Sequence, residues 1–334
     1  PVLALYVWPL TDLPSRIPSC YHSVFPSSQW HLNFKAGEGT QAFANNDKYN
    51  GQWERGVMKG QGTTVYANGD WYEGHWYDNQ RSGSGKCSYY NGDKYDGAWS
   101  RDVKSGQGTY KYANGDVYNG HWLRDRRNGL GTCTIKSGDA YCGTWINDIQ
   151  DGSGTLTYAN GDWYKGDWKD NQRDGNGMYQ LTDGAFYDGA WEADRRNGYG
   201  IQVFANEERY DGEWVEDQRE GEGWFSYANG DRYEGAWVAD VRAGRGQCVY
   251  KNGDKYRGNW VNDKRQGSGV CMNSTADRYE GGWKADRRTG HGVCDYANGD
   301  HYEGQWAADK RAGFGLCQYV TGDKYEGEWV GDRP

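Results

Sequence analysis

The chain has 334 residues, 38 basic against 47 acidic, for a formal net charge of −9. Fifty-two glycines, 28 tyrosines and 18 tryptophans stand beside seven phenylalanines and three methionines, and mean hydropathy is −1.08. Such a chain cannot fill a thick aliphatic core, yet it is too aromatic to be disordered. No stretch approaches the ~18 apolar residues of a spanning helix, and the acidic balance disfavours nucleic acid as a partner.

Residues 1–29 hold five of the six prolines and an apolar start, Val2-Leu3-Ala4-Leu5-Tyr6-Val7-Trp8. The run is too short for a membrane helix and lacks the basic flank of a signal peptide. It reads as a non-repeat segment that caps the first hairpin. From Trp30 an internal repeat takes over. Trp30, Gly37, Gly39 and Phe43 form a degraded first unit, with Pro26 and Ser28 where a tyrosine and a glycine are expected. Tryptophan then recurs at 53, 76, 99, 122 and every 23 residues onward to 329, without insertion or deletion. Residues 30–334 therefore form one array of thirteen Tyr-x-Gly-x-Trp units after the degraded one, the last incomplete. The signature is clear in Tyr49, Gly51 and Trp53, in Tyr72, Gly74 and Trp76, in Tyr233, Gly235 and Trp237, and in Tyr302, Gly304 and Trp306.

Each unit predicts a hairpin. Tyr, Gly and Trp alternate with polar residues, so they share one face of a strand. Glycines seven and nine residues after the tryptophan, with small or aromatic residues at eleven and thirteen, give a second strand of the same period. Asn-Gly between units, as at Asn68-Gly69 and Asn298-Gly299, favours a tight primed turn. The paired glycines are expected to form a bare floor under a flat-lying indole. Three inter-unit turns depart from Asn-Gly-Asp (Thr182-Asp183-Gly184-Ala185, Asn206-Glu207-Glu208-Arg209 and Ser274-Thr275-Ala276-Asp277) and are expected to be looser. The predicted fold class is all-β: an elongated single-layer antiparallel sheet of stacked 23-residue β-hairpins. Two strands ~4.8 Å apart per unit make a ribbon about 125 Å long.

Chemistry-bearing residues fall at repeat positions. Six of the eight cysteines (Cys87, Cys133, Cys248, Cys271, Cys294, Cys317) recur eleven residues after a tryptophan. Neighbouring units set them roughly 10 Å apart, beyond the ~7 Å Cα limit of a disulfide. They read as reduced thiols, which fits the cytosol. His75 and His121 lie two units apart, and no Cys-x-x-Cys occurs. No catalytic residue, cofactor or metal is expected. A basic residue stands five positions after most tryptophans: Arg81, Lys104, Arg127, Arg173, Arg196, Arg219, Arg242, Arg265, Arg288 and Arg311. These read as turn residues lining one edge, a candidate basic docking rim offset by aspartates in the same turns. Asp and Glu make the opposite edge and strand face acidic.

The Tyr-x-Gly-x-Trp and Gly-x-Gly pattern at a 23-residue period resembles the MORN repeat (membrane occupation and recognition nexus) over some nine-tenths of the chain. The resemblance implies an elongated, often dimeric scaffold such as those of radial-spoke heads, junctophilins, alsin and protist cytoskeletal organisers. It also allows a regulatory array like that preceding plant phosphatidylinositol phosphate kinase domains. The expected function is a non-enzymatic scaffold in cytoskeletal or membrane-apposed assemblies, including those of the cilium. Protein partners rank above anionic phospholipid on the basic rim. The expected location is the cytoplasm, at the cytoskeleton or the inner face of a membrane. The chain stops at Asp332-Arg333-Pro334, halfway through a unit, so further chain or a second subunit is expected at that open edge.

Overall fold

Alternation of aromatic or glycine residues with polar ones makes strands whose two faces differ sharply. The computed structural model describes residues 29–31 and 34–334. In it Tyr49, Gly51 and Trp53 are buried, while Lys48, Asn50, Gln52 and Glu54 are exposed. A short strand β1 (Gln29–His31) precedes β2 (Phe34–Ala42), β3 (Lys48–Glu54) and β4 (Val57–Val65). Nine-residue and seven-residue strands then alternate to a last strand at Lys324–Trp329. The 27 strands form a single sheet, each paired antiparallel with its sequence neighbours. Every hairpin is therefore stabilised only by the hairpins beside it, as in other quasi-one-dimensional repeat folds. The all-β ribbon expected from the repeat is the observed fold. The expected cap lies outside the described residues except for Gln29.

The Asn-Gly turns are not the primed turns expected of them. Between Tyr66 and Asp70, the Tyr66 N–H donates to Asp70 O (2.9 Å) and the Gly69 N–H to Tyr66 O (3.0 Å). Only Gly69 has positive φ (+93°), which marks a three-residue loop with a glycine bulge. The extra residue lets Asn68 stay right-handed and accept the Asp70 N–H at 2.9 Å. Primed two-residue turns lie on the other edge, where both central residues have positive φ: Asp78 (48°) and Asn79 (62°), or Ala193 (47°) and Asp194 (68°). The three departing turns keep the ordinary hydrogen bonds, with Glu207 (φ 67°) and Ala276 (φ 75°) in the glycine's place. Looseness is not visible in their geometry.

The glycines also act differently from the expectation. Gly51 pairs with Gly62, but Trp53 pairs with Met58, so the long strand carries a bulge. Gly60 sits in that bulge at φ +90°, and a Cβ there would strike Gln52 on the opposite face. The strict period of two therefore breaks between the two glycines of each pair. The second glycines do form a floor, in an unbroken row whose paired members run from Gly39 to Gly327. The ring lying on this floor is tyrosine, not tryptophan: a Cβ on Gly62 would collide with the Tyr49 hydroxyl and ring. Lying flat lets the Tyr49 hydroxyl donate to Gln52 O, three residues on, at 2.9 Å. The indole stands on edge so that its N–H reaches the preceding unit, as in Trp76 Nε1 to Gly62 O at 3.2 Å. Tyr49 lies 5.2 Å from Trp53 and 5.4 Å from Trp76, nearly perpendicular to both. The alternation continues to Tyr325 and Trp329, each contact worth about 0.5–1.5 kcal/mol beyond area burial.

Candidate interaction surfaces

The ten basic residues stand on the long strand rather than in the turn. Arg81 is the second residue of Gln80–Ser88, with its side chain laid across the aromatic face. Its guanidinium carbon is 4.1 Å from the Trp99 ring centroid and 5.7 Å from that of Tyr72. Nε donates to Asp102 Oδ1 (3.2 Å), Nη2 to Asp102 O (2.7 Å), and the Arg81 backbone N–H to the same carboxylate (2.9 Å). Arg127, Arg173, Arg196, Arg219, Arg242, Arg265, Arg288 and Arg311 repeat the arrangement, each 4.1–4.4 Å from the next unit's indole. Lys104 is the exception in shape. Its ammonium lies 4.7 Å from Tyr110 and 4.8 Å from Trp122, and burial lowers its pKa although Asp125 pulls the other way. These cations are engaged inside the ribbon, each clamping one unit to the next.

The partner acid is matched to the cation. Where the basic residue is replaced by Met58 or Gln150, the next turn carries Asn79 or Asn171 instead of Asp. The amide oxygen still accepts the backbone N–H at 2.9 Å in both. On the other edge a second series of clamps runs between turns: Asp70 accepts the Tyr90 N–H (2.9 Å) and Asp231 the Lys251 N–H (2.8 Å). The acceptor is lost where Ala185 replaces the acid, opposite Ala205. The Thr182 N–H, bonded in the same way to Asp162, holds that carboxyl below its usual range.

Burial on the aromatic face holds its phenols and thiols in their protonated forms. Burial pushes the Tyr49 phenol up to about 12 and raises the thiols of Cys87, Cys248 and Cys294. All three cysteines pack within the aromatic cluster. Among the described residues no group of three or more His, Cys, Asp or Glu is placed to hold a metal ion.

The opposite, outer face is open. The glycine row carries no side chain there, so its backbone floors a trough between two rows of side chains. One stretch of about 800 Å³ runs from Gln107 to Asp188, walled by His121, Leu130, Thr132, Ser153 and Lys165. A second, of about 920 Å³, runs from Glu222 to Gly281, past Glu234, Arg245 and Arg257. Between them stand Trp224 and Tyr199, whose phenol donates to Asp211. The sequence reading had the short-strand side of these walls only as an acidic face, Asp188, Glu234 and Glu280 included, and passed over the groove between the rows. Their signal was variability: the residues one before each tryptophan, and eight and ten after it, change from unit to unit, while the position three before is mostly acidic.

The MORN repeat family pattern matches fourteen segments between residues 27 and 334. The chain belongs to the MORN repeat family. No curated protein matches it. Among solved structures it is similar to the TCP10 domain of Danio rerio CPAP, described in complex with a peptide of Danio rerio STIL. Identity there is 12%, over 87% of this chain and 99% of that one, with a TM-score of 0.29. A Drosophila melanogaster SAS-4 (dCPAP) TCP domain, described with a proline-rich motif of Ana2, has 16% identity over 59% of this chain and 96% of that one, with a TM-score of 0.30. A Staphylococcus aureus virginiamycin B lyase has a TM-score of 0.14 at 12% identity, over 80% of this chain and 83% of that one. Superpositions this poor transfer no function.

Proposed function

We propose that this chain is a non-catalytic scaffold that holds protein partners along its outer face, in cytoskeletal or membrane-apposed assemblies of the cytoplasm. The supporting observation is the division between its faces. One packs its own rings and guanidinium groups along its length, leaving recesses toward its Asn-Gly edge beside Tyr66 and Tyr250, and the other offers long glycine-floored troughs of about 800 and 920 Å³. Backbone without side chains lets an extended protein segment approach closely, and the variable walls provide different contacts along one ribbon. A regulatory role beside a separate catalytic domain is compatible with the same surface. Phospholipid docking on the basic rim is less favoured, because the Arg219 and Arg242 side chains are only 20% and 18% exposed and already ion-paired.

The test is photo-crosslinking in cells, with benzophenone side chains placed at Thr132 and Gln247 in the troughs and at Lys136 and Arg124 on the two edges. The scaffold reading expects discrete crosslinked proteins from the trough positions and few from the edges. Crosslinks confined to the edges, or a catalytic turnover by this chain, would overturn it.

A further inference from the structure

Near the start of the array the outer face departs from its surroundings in charge. Trp71, Ser88, Lys94 and Lys111 lie in register across four adjacent strands. Lys86 lies on the neighbouring row between Glu73 and Asp96, with Thr109 beyond. All of these but Glu73 line a pocket of about 340 Å³, within the range of small-ligand sites, on a chain whose net charge is −9.

Lys94 and Lys111 are directly opposite each other, the cross-strand arrangement in which like charges repel. Neither takes part in an ion pair among the described residues. Lys86 has Asp96 at 3.6 Å, but both side chains are 65% exposed, so water screens that pair. The clamp cations of the aromatic face are matched to acids, down to Asn79 and Asn171 opposite the neutral Met58 and Gln150. Many outer-face lysines, Lys94 and Lys111 among them, have no ion pair among the described residues; what sets these two apart is that they face each other. Three ammonium groups around a pocket with one carboxylate, that of Asp96, leave a positive place for an external anion. Trp71, half-buried two strands from Lys94, adds a flat apolar wall. Strand spacing puts it ~10 Å from Lys94 and its diagonal neighbour Lys86 at ~7–8 Å, a span suited to a ring and the phosphate it carries.

We propose that this pocket seats a phosphotyrosine side chain of a partner protein, its phosphate among Lys86, Lys94 and Lys111 and its ring against Trp71. A phosphomonoester carries nearly two negative charges and three acceptor oxygens, so it can bond several ammonium groups at once. A phosphoserine lacks the ring that would cover Trp71. The inference rests on the protein-binding reading and names the chemistry of one partner.

The test is fluorescence anisotropy on the full chain with a labelled phosphotyrosine peptide that is otherwise uncharged. Phosphoserine and unphosphorylated peptides, inorganic phosphate, and phosphatidylcholine vesicles with and without phosphatidylinositol 4-phosphate serve as competitors. Phosphotyrosine should bind about tenfold or more tighter than the phosphoserine or unphosphorylated peptide. K94V/K111T and W71A introduce residues that the ribbon itself carries at equivalent positions, Val117, Thr134 and Ala140, so the fold is kept. K94V/K111T should weaken binding at least about tenfold, and W71A should reduce phosphotyrosine to the phosphoserine level. K255V, on the same row far away, should leave binding unchanged. Absence of saturable binding, equal affinity in K94V/K111T, or phosphoserine, inorganic phosphate or phosphoinositide vesicles competing as well as phosphotyrosine would each overturn the proposal. If trough crosslinks persist while peptide binding fails, only this inference falls; peptide binding without trough crosslinks removes only the broader reading.

Discussion

Replacing Arg219 by Met and Asp240 by Asn recreates, in mid-array, the neutral pair that Met58 and Asn79 already form. In the native ribbon Arg219 lies 4.4 Å from Trp237 and 5.1 Å from Phe225. It donates through Nε (2.9 Å), Nη2 (2.8 Å) and its backbone N–H (3.1 Å) to Asp240. Because Asp240 is 44% exposed, the ion pair itself is discounted for screening to about 0.5 kcal/mol. The cation–π contact, on largely desolvated rings, adds about 1–2 kcal/mol. Arg219→Met keeps the apolar packing and should cost about 2 kcal/mol. Asp240→Asn keeps an acceptor for the backbone N–H and should cost about 0.5–1 kcal/mol. The double variant should cost less than the sum by about 0.5–1 kcal/mol, since the two losses share one interaction. Hydrogen exchange of peptides covering residues 215–245 is the appropriate assay, because an array opens locally rather than all at once. Additivity within about 0.3 kcal/mol would refute the matched-clamp reasoning.

A Cβ on Gly177 would lie 2.5 Å from Tyr164 Cε2, whereas Gly290, at φ +67°, has nothing within 4 Å. Gly177→Ala should therefore destabilise by about 3 kcal/mol through overpacking and Gly290→Ala by about 1 kcal/mol through backbone strain, compared by thermal unfolding; equal losses contradict the tyrosine floor. Raising the Tyr49 phenol to about 12, against 10 in the unfolded chain, stabilises the fold fully below pH 10. That contribution is lost as pH rises from 10 through 12, so phenolate absorbance and loss of strand signal should appear together in that window. Ala185→Asp should restore the missing acceptor for the Ala205 N–H, slowing its exchange about fivefold; an unchanged rate argues against the edge clamps.

Strand identity and face were legible because Tyr, Gly and Trp obey a period of two on the short strand. On the long strand the same rule failed at Gly60, where a bulge, invisible to a simple periodicity, turns the glycine to the other face. The basic residues were assigned to turns because the bulge lengthens the long strand and draws Arg81 and its equivalents into it. Their contacts were hidden because each reaches an aspartate 21 residues on, as Arg219 does with Asp240. Turn type was misread for a related reason. Asn-Gly is compatible with a primed turn, but an added Ala67 converts it to a glycine-bulge loop, while Asp102 and Arg101 take positive φ without glycine. The troughs went unread because periodic residues dominate the pattern, and what distinguishes the outer face is where the units differ.

Small-angle scattering on monomeric protein tests the single-layer ribbon most directly. Twenty-six strand pairings at ~4.8 Å give a contour of about 125 Å, so the radius of gyration should lie well above 30 Å for a straight ribbon. A compact globule of 334 residues would give about 20 Å, and a value near that figure would contradict a chain held together only by neighbours in sequence.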